Sequence, residues 1–287
     1  MCVSDDCGEW TDRRTFISGA AGAFIGAAVT SGAGQQAPYP HNYKVVTRVL
    51  DEPRITHGKV AFQHGGKESI DGFLARPKAE GRFPAVVVIA GNVITEEYIP
   101  NTCAALALAG FVGLAPNIFH TLPDFAKTAD ERRAATAAHT DSDALADINA
   151  GIDYLRSQPF VKPGGFGAVG FCYGGHLALM LAARSREIDA VVPYHPGPTT
   201  RADVARLTAP VQIHQGTQDR NVPVAQIKEL EKMLRDQSAQ VEVFLYDGAD
   251  HGFLAYTRPY YRPNYAKDSW DRTILFLEKH LKKTERN

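Results

Sequence analysis

Gly170-Phe171-Cys172-Tyr173-Gly174-Gly175 has the G-x-S-x-G outline of a nucleophile elbow, with a thiol where a hydroxyl usually stands. Just upstream, Phe166-Gly167-Ala168-Val169 is short, apolar and glycine-bounded, as a buried strand is. Residues 176–183 come next with Leu177, Leu179, Met180 and Leu181 and read as a packed helix. Strand, sharp turn and helix are therefore predicted in succession, with Cys172 at the turn. Such a turn holds its nucleophile in a strained conformation, and a side chain at Gly170 or Gly174 would collide with neighbouring backbone. A thiol there points to covalent attack on a carbonyl. The competing reading is a glycine-rich turn around a buried structural cysteine, and the residues downstream of the elbow discriminate between the two.

Val211-Gln212-Ile213-His214-Gln215 reads as a buried strand, and the loop from Gly216 to Pro223 then places Asp219 at its carboxyl end. A helix over residues 224–237 comes next. A further strand, Val241-Glu242-Val243-Phe244-Leu245-Tyr246, leads into Asp247-Gly248-Ala249-Asp250-His251-Gly252-Phe253. Nucleophile, acid and histidine each follow a separate strand, in the chain order of the α/β-hydrolase triad and of neither common serine-protease type.

Elementary chemistry assigns the roles. A free thiol titrating near ~8.5 is a poor nucleophile at neutral pH without a base or a favourable field. His251 is positioned in the order to be the base, and the amino end of the helix beginning at Tyr173 adds partial positive charge. Asp219 would fix the imidazole tautomer and stabilise the imidazolium. The Tyr173 backbone N–H is the first oxyanion donor; the second comes from the loop after the strand 86–89, which puts Gly91 and Asn92 beside the reacting carbonyl.

With the elbow, the acid loop 216–223 and Ala249-Asp250-His251-Gly252-Phe253 in view, the sequence resembles the dienelactone hydrolase family, carboxymethylenebutenolidase-like. The likeness runs from about residue 55 to 282 and includes Val86-Val87-Val88-Ile89, Gly110-Phe111-Val112-Gly113-Leu114-Ala115-Pro116 and Trp270-Asp271-Arg272-Thr273. It implies one α/β-hydrolase domain over residues 55–287, a mostly parallel sheet with helices on both faces. It also implies a small-molecule ester or lactone substrate, no cofactor, no metal, and triad roles for Cys172, Asp219 and His251. Family members carry histidine or glutamine and then glutamate after the first parallel strand, the glutamate contacting the resting cysteine. Here Ile89-Ala90-Gly91-Asn92 stands instead, with Gly91 in the place of the glutamate and Asn92 at the oxyanion-hole position. This departure bears on the family's substrate-assisted activation of the thiol. Glu96 and Glu97 read as the start of a helix running to Leu108.

Composition is compatible with this. A chain of 287 residues, 44% hydrophobic with formal net charge −1, suffices for one large α/β core and has no excess positive charge for nucleic acid or anionic membrane. No P-loop, dinucleotide fingerprint or H-E-x-x-H is found, so neither a nucleotide nor a catalytic zinc is implied. Segments 45–49, 58–62 and 72–76 read as early antiparallel strands, whereas later strands alternate with helices. Residues 142–158 form the clearest helix, with Leu145, Ile148, Ile152 and Leu155 as its apolar stripe and Pro159 ending it.

Because ligands bind beyond the strand carboxyl ends in open α/β sheets, further pocket residues are expected there. Tyr194 and His195 come after the strand 190–193 and are read as pocket walls; His195 lacks the acid partner a base would need. Arg258, in the loop after His251, suits a bidentate contact to a substrate carboxylate. His214 reads as a hydrogen-bonded core residue, and His139 with Asp143 as one solvated helix face. An acyltransferase, a peptidase, or a non-hydrolytic binding or redox-responsive protein on the same fold remains open.

The amino terminus reads separately. Thr11-Asp12-Arg13-Arg14-Thr15-Phe16-Ile17, a mildly apolar Gly/Ala-rich stretch and Gln35-Gln36-Ala37-Pro38 have the form of a twin-arginine export signal over residues 1–37. Residues 38–54 then act as linker, the partner of the signal is the twin-arginine export machinery, and the expected location is periplasmic or secreted. Cleavage leaves about 250 residues, an ordinary size for one such domain. Cys2 and Cys7 fall in the signal; Cys103 is expected to be buried in a helix and, like Cys172, free. The sequence does not set the oligomeric state, and a monomer is compatible with it.

Overall fold

In a computed structural model, the residues described are 48–64, 68–91, 97–120 and 139–282. The expected signal, residue 92 of the oxyanion pair, Glu96 and most of the segment 45–49 lie outside them.

Parallel strands buried on both faces read as unbroken apolar runs, and β3 (Ala85–Ile89) is such a run. Its Val86 and Val88 enter one core cluster and its Val87 and Ile89 the other. The same alternation holds in β5 (Phe166–Phe171), where Ala168 faces one way and Val169 the other. Before them, β1 (Ile55–His64) and β2 (Glu68–Pro77) pair antiparallel, and β2 pairs antiparallel with β4 (Val112–Pro116). Then β6 (Ile188–Tyr194), β7 (Val211–Gly216) and β8 (Val241–Tyr246) extend the parallel part. The sheet order is β1-β2-β4-β3-β5-β6-β7-β8.

Helices cover both faces, as predicted. On one side, α1 (Tyr98–Leu108) and α5 (Pro263–Leu281) contribute Ile99, Leu106, Trp270 and Ile274 to the core. On the other lie α2 (Asp141–Ser157), α3 (Tyr173–Arg184) and α4 (Val224–Arg235), with Ile148, Leu177 and Ile227. Each such fully buried side chain contributes about 1.5–3 kcal/mol. All four residues of the expected α2 stripe are buried.

The start of α2 corrects one expectation. Thr140 caps the helix in a reciprocal capping box with Asp143, so Asp143 serves the backbone of the first turn. His139 precedes the helix and is buried, so the two do not form a solvated face. Cys103 is wholly buried in α1, its thiol pushed far up by desolvation, and both Cys103 and Cys172 are free.

Candidate active site

Cys172 sits between β5 and α3 with φ 54° and ψ −118°, backbone angles that a non-glycine residue adopts only when its surroundings enforce them. Four hydrogen bonds do so. Its N–H donates to Tyr194 O at 3.0 Å, and its carbonyl accepts from Gly175 N, His176 N and Gly197 N at 2.9, 3.2 and 3.0 Å. The flanking glycines are dictated sterically: a Cβ at Gly170 would lie 2.0 Å from Gly174 O, and one at Gly174 2.1 Å from Ile89 O. Tyr173 begins α3, so its N–H belongs to the first turn, where a helix offers no acceptor of its own. Its hydroxyl donates to Asp141 at 2.8 Å.

Asp219 leaves the carboxyl end of β7 with its side chain fully buried. Oδ1 accepts from Asn221 N at 2.9 Å and Val222 N at 2.8 Å. Oδ2 accepts from Gln215 Nε2 at 3.1 Å and meets His251 Nδ1 at 2.8 Å. Burial alone would raise this carboxyl, but the hydrogen bond and charge of His251 hold it below the ordinary carboxylate range. His251 comes after β8. Burial would lower its imidazole, yet the hydrogen bond to Asp219, then the hydrogen bond and charge of Cys172, push it up to about 10. The acid and histidine loops are laced together by Thr217 N to Tyr246 O and Gln218 N to Ala249 O, both 2.9 Å, and by Gly248 N to Thr217 Oγ1 at 2.9 Å. A Cβ at Gly216 would lie 2.4 Å from Ala249 O, so only glycine admits this approach.

His195 lies closer to the chemistry than a pocket wall. Its ring centroid is 4.1 Å from that of His251, and one donor atom from each of Cys172, His195 and His251 falls within 4.8 Å of the others. It has φ 37°, its N–H donates to His214 O at 2.8 Å, and desolvation keeps its imidazole well below the usual range.

A profile of the dienelactone hydrolase family matches residues 70–281, a span that holds the elbow, the acid loop and the histidine loop. The chain belongs to the dienelactone hydrolase family. It is 33% identical over 227 residues to a Bradyrhizobium protein named "Probable 2-oxo-3-(5-oxofuran-2-ylidene)propanoate lactonase", covering 75% of this chain and 91% of that one. A Synechocystis protein named "Putative carboxymethylenebutenolidase" is 29% identical over 230 residues, covering 74% and 93%. Among solved structures, one titled "Putative Dienelactone Hydrolase" from Klebsiella pneumoniae has a TM-score of 0.72 at 25% identity, covering 79% of this chain and 99% of that one. As a dienelactone hydrolase family member with an α/β-hydrolase fold, the protein is an ester or lactone hydrolase.

Other sequence candidates of this dienelactone hydrolase family member fall into place unevenly. Gly91 abuts the nucleophile: a Cβ there would stand 2.6 Å from Phe171 O and 2.8 Å from Cys172 Cβ. No glutamate fits at Gly91 on this backbone. Tyr194, expected in the pocket, is instead wholly buried; its hydroxyl reaches Thr273 Oγ1 at 2.7 Å and donates to Ser269 O at 3.1 Å, and its ring stacks on Phe171 and His214. Arg258 is half-buried in the turns after His251, its N–H bonded to Ala255 O at 2.9 Å. His214 is a core residue, meeting Tyr246 Oη at 2.9 Å and Gln212 Oε1 at 3.1 Å.

Two contributors had no sequence signal. Gln215 holds the acid loop, its amide donating to Gly216 O, Asp219 Oδ2 and Val222 O. Tyr98, at the start of α1, stands edge-on to Phe171 with its phenol raised by burial and then by the charge of Cys172. Glu97, beside it, accepts from Arg48 Nε and Tyr256 Oη, each at 2.8 Å, tying the start of α1 to the loop after His251.

Proposed function

We propose that the protein hydrolyses a carboxylic ester or lactone through a thioester on Cys172. His251 Nε2 takes the thiol proton as sulfur attacks the carbonyl carbon, and the carbonyl π pair moves onto oxygen, where the N–H of Tyr173 and that of Asn92 receive the oxyanion. Collapse breaks the C–O bond, and His251 Nε2 gives its proton to the departing alkoxide; with a lactone, that alcohol stays attached to the acyl group. Water then attacks the thioester, His251 accepts its proton, and the carboxylic acid leaves as sulfur recovers its electron pair. Asp219 keeps Nδ1 protonated throughout, so Nε2 does the proton transfer.

The observation that carries this reading is the 2.8 Å pairing of His251 Nδ1 with fully buried Asp219 beside a strained, half-buried Cys172. Mass spectrometry after quenching with a chromogenic ester is expected to find one acyl group on Cys172 and a burst of alcohol equal to the enzyme present. Loss of turnover in folded Cys172→Ala accompanies it. Full turnover by that variant, or an acyl group elsewhere, overturns the reading.

The paired Arg13-Arg14, the adjoining Phe16-Ile17 and the small residues up to Ala37 also support export by the twin-arginine machinery to the periplasm or beyond, with cleavage near residues 33–37.

A further inference from the structure

The triad chemistry uses two of the three donors that meet at this site. The third, His195, arrives from the end of a different strand and is not needed to deprotonate sulfur. Its residue is 5% exposed, and its Nδ1 is buried with no hydrogen-bond partner. A buried imidazole nitrogen without a partner in a native fold calls for a reason. Among the described residues, Cys172, His195 and His251 are the one trio of His, Cys or carboxylate side chains whose donor atoms gather this closely.

We propose that Cys172, His195 and His251 form a reversible binding site for a thiophilic divalent cation of the zinc type, and that the bound cation switches the hydrolase off. One thiolate and two imidazoles are a donor set suited to such an ion and unsuited to magnesium or calcium, which take oxygen. The hydrogen bond from His251 Nδ1 to Asp219 Oδ2 is the carboxylate–histidine pairing that orients a metal-bound ring, and it leaves Nε2 as the ligating nitrogen. Tetrahedral coordination at ordinary bond lengths separates donors by about 3.4–3.6 Å. The three atoms already lie within 4.8 Å, so side-chain rotation closes the remainder. The fourth position is left to water.

The exchange balances without any redox step. The cation accepts lone pairs from sulfur, from Nε2 of His251 and from a ring nitrogen of His195, and the proton held between Cys172 and His251 passes to solvent. With the sulfur pair engaged and His251 no longer able to accept a proton, neither acylation nor thioester hydrolysis proceeds. The inhibition rests on the thioester route above; the binding does not.

The test uses the full chain carrying Cys2→Ser and Cys7→Ser, titrated with Co²⁺ as a spectroscopic probe and then with Zn²⁺ as competitor. A one-to-one thiolate-to-cobalt charge-transfer band is expected, lost when Cys172 is capped with iodoacetamide and displaced by Zn²⁺. His195→Gln and His195→Asn weaken binding by about tenfold or more. Ester turnover falls with the same half-saturation concentration of Zn²⁺ and returns on adding a chelator, while Mg²⁺ has no effect. Absence of the band, or equal affinity in wild type and both folded His195 variants, overturns the site. A band without inhibition overturns the switch. A band in a protein with no turnover on any ester leaves the cation site standing and defeats the thioester reading instead.

Discussion

Replacing Asp219 by asparagine changes one charge and almost no volume, and the surrounding donors dictate how the new side chain sits. Asn221 N and Val222 N point at Oδ1, so an asparagine keeps its carbonyl oxygen there and turns its NH₂ toward Gln215 and His251. That NH₂ meets the Gln215 amide donor-to-donor. It also obliges His251 Nδ1 to accept, which moves the ring proton to Nε2, where it can no longer take one from sulfur. In the native site the imidazole is raised from 6.5 to about 10 with Asp219 as the leading favourable partner. A rise of that size corresponds to about 5 kcal/mol of imidazolium stabilisation. Loss of much of it, together with the wrong tautomer, is expected to slow acylation by about 10²- to 10⁴-fold. Stopped-flow burst kinetics with a chromogenic ester measure this directly, and alkylation of Cys172 by iodoacetamide at neutral pH reports the sulfur without any substrate; both rates are expected to fall. A folded Asp219→Asn protein that acylates within about fivefold of wild type, with alkylation undiminished, would refute the reasoning.

Stability should carry the same signature against pH. Because the folded His251 lies above its unfolded value, its contribution is complete below pH 6.5 and is lost as pH rises toward about 10; that of Asp219, held low, is lost only under acid conditions. The gap in Tm between wild type and His251→Gln is therefore expected to shrink from pH 6 to 10, and a gap constant over that range counts against the ion pair. At the amino terminus, Arg13→Lys with Arg14→Lys should hold the uncleaved chain in the cytoplasm, as read by fractionation and immunoblot; undiminished export of the double variant excludes the twin-arginine route.

Whatever rests on local rules is legible in the sequence. The elbow glycines, the strand-loop positions of Asp219 and His251 and the two-faced apolar strands each announce themselves within a few residues. Side-chain directions are harder to read. Strand position alone sends both Tyr194 and His195 to the pocket, but β6 ends at Tyr194, which goes inward to α5, while His195, just past the strand at φ 37°, turns toward His251. The four-residue spacing of His139 and Asp143 suggests a helix face, but the helix starts only after Thr140. The sequence shows that Gly91 departs from the family pattern, but the steric reason becomes visible only when the turn after β3 is seen against the elbow, since its constraint comes from Phe171 and Cys172, some eighty positions away. Gln215 gives no signal because a glutamine inside a strand looks like any polar interruption until its loop is folded back onto it.

The lacing of the acid loop to the histidine loop has an evolutionary corollary. With Gly216 pressed against Ala249 and a set of hydrogen bonds crossing between the two loops, an insertion in either loop would disturb both members of the proton-handling pair at once. Change in substrate range is therefore expected to fall on other parts of the rim, sparing the sealed cassette that holds Asp219 and His251.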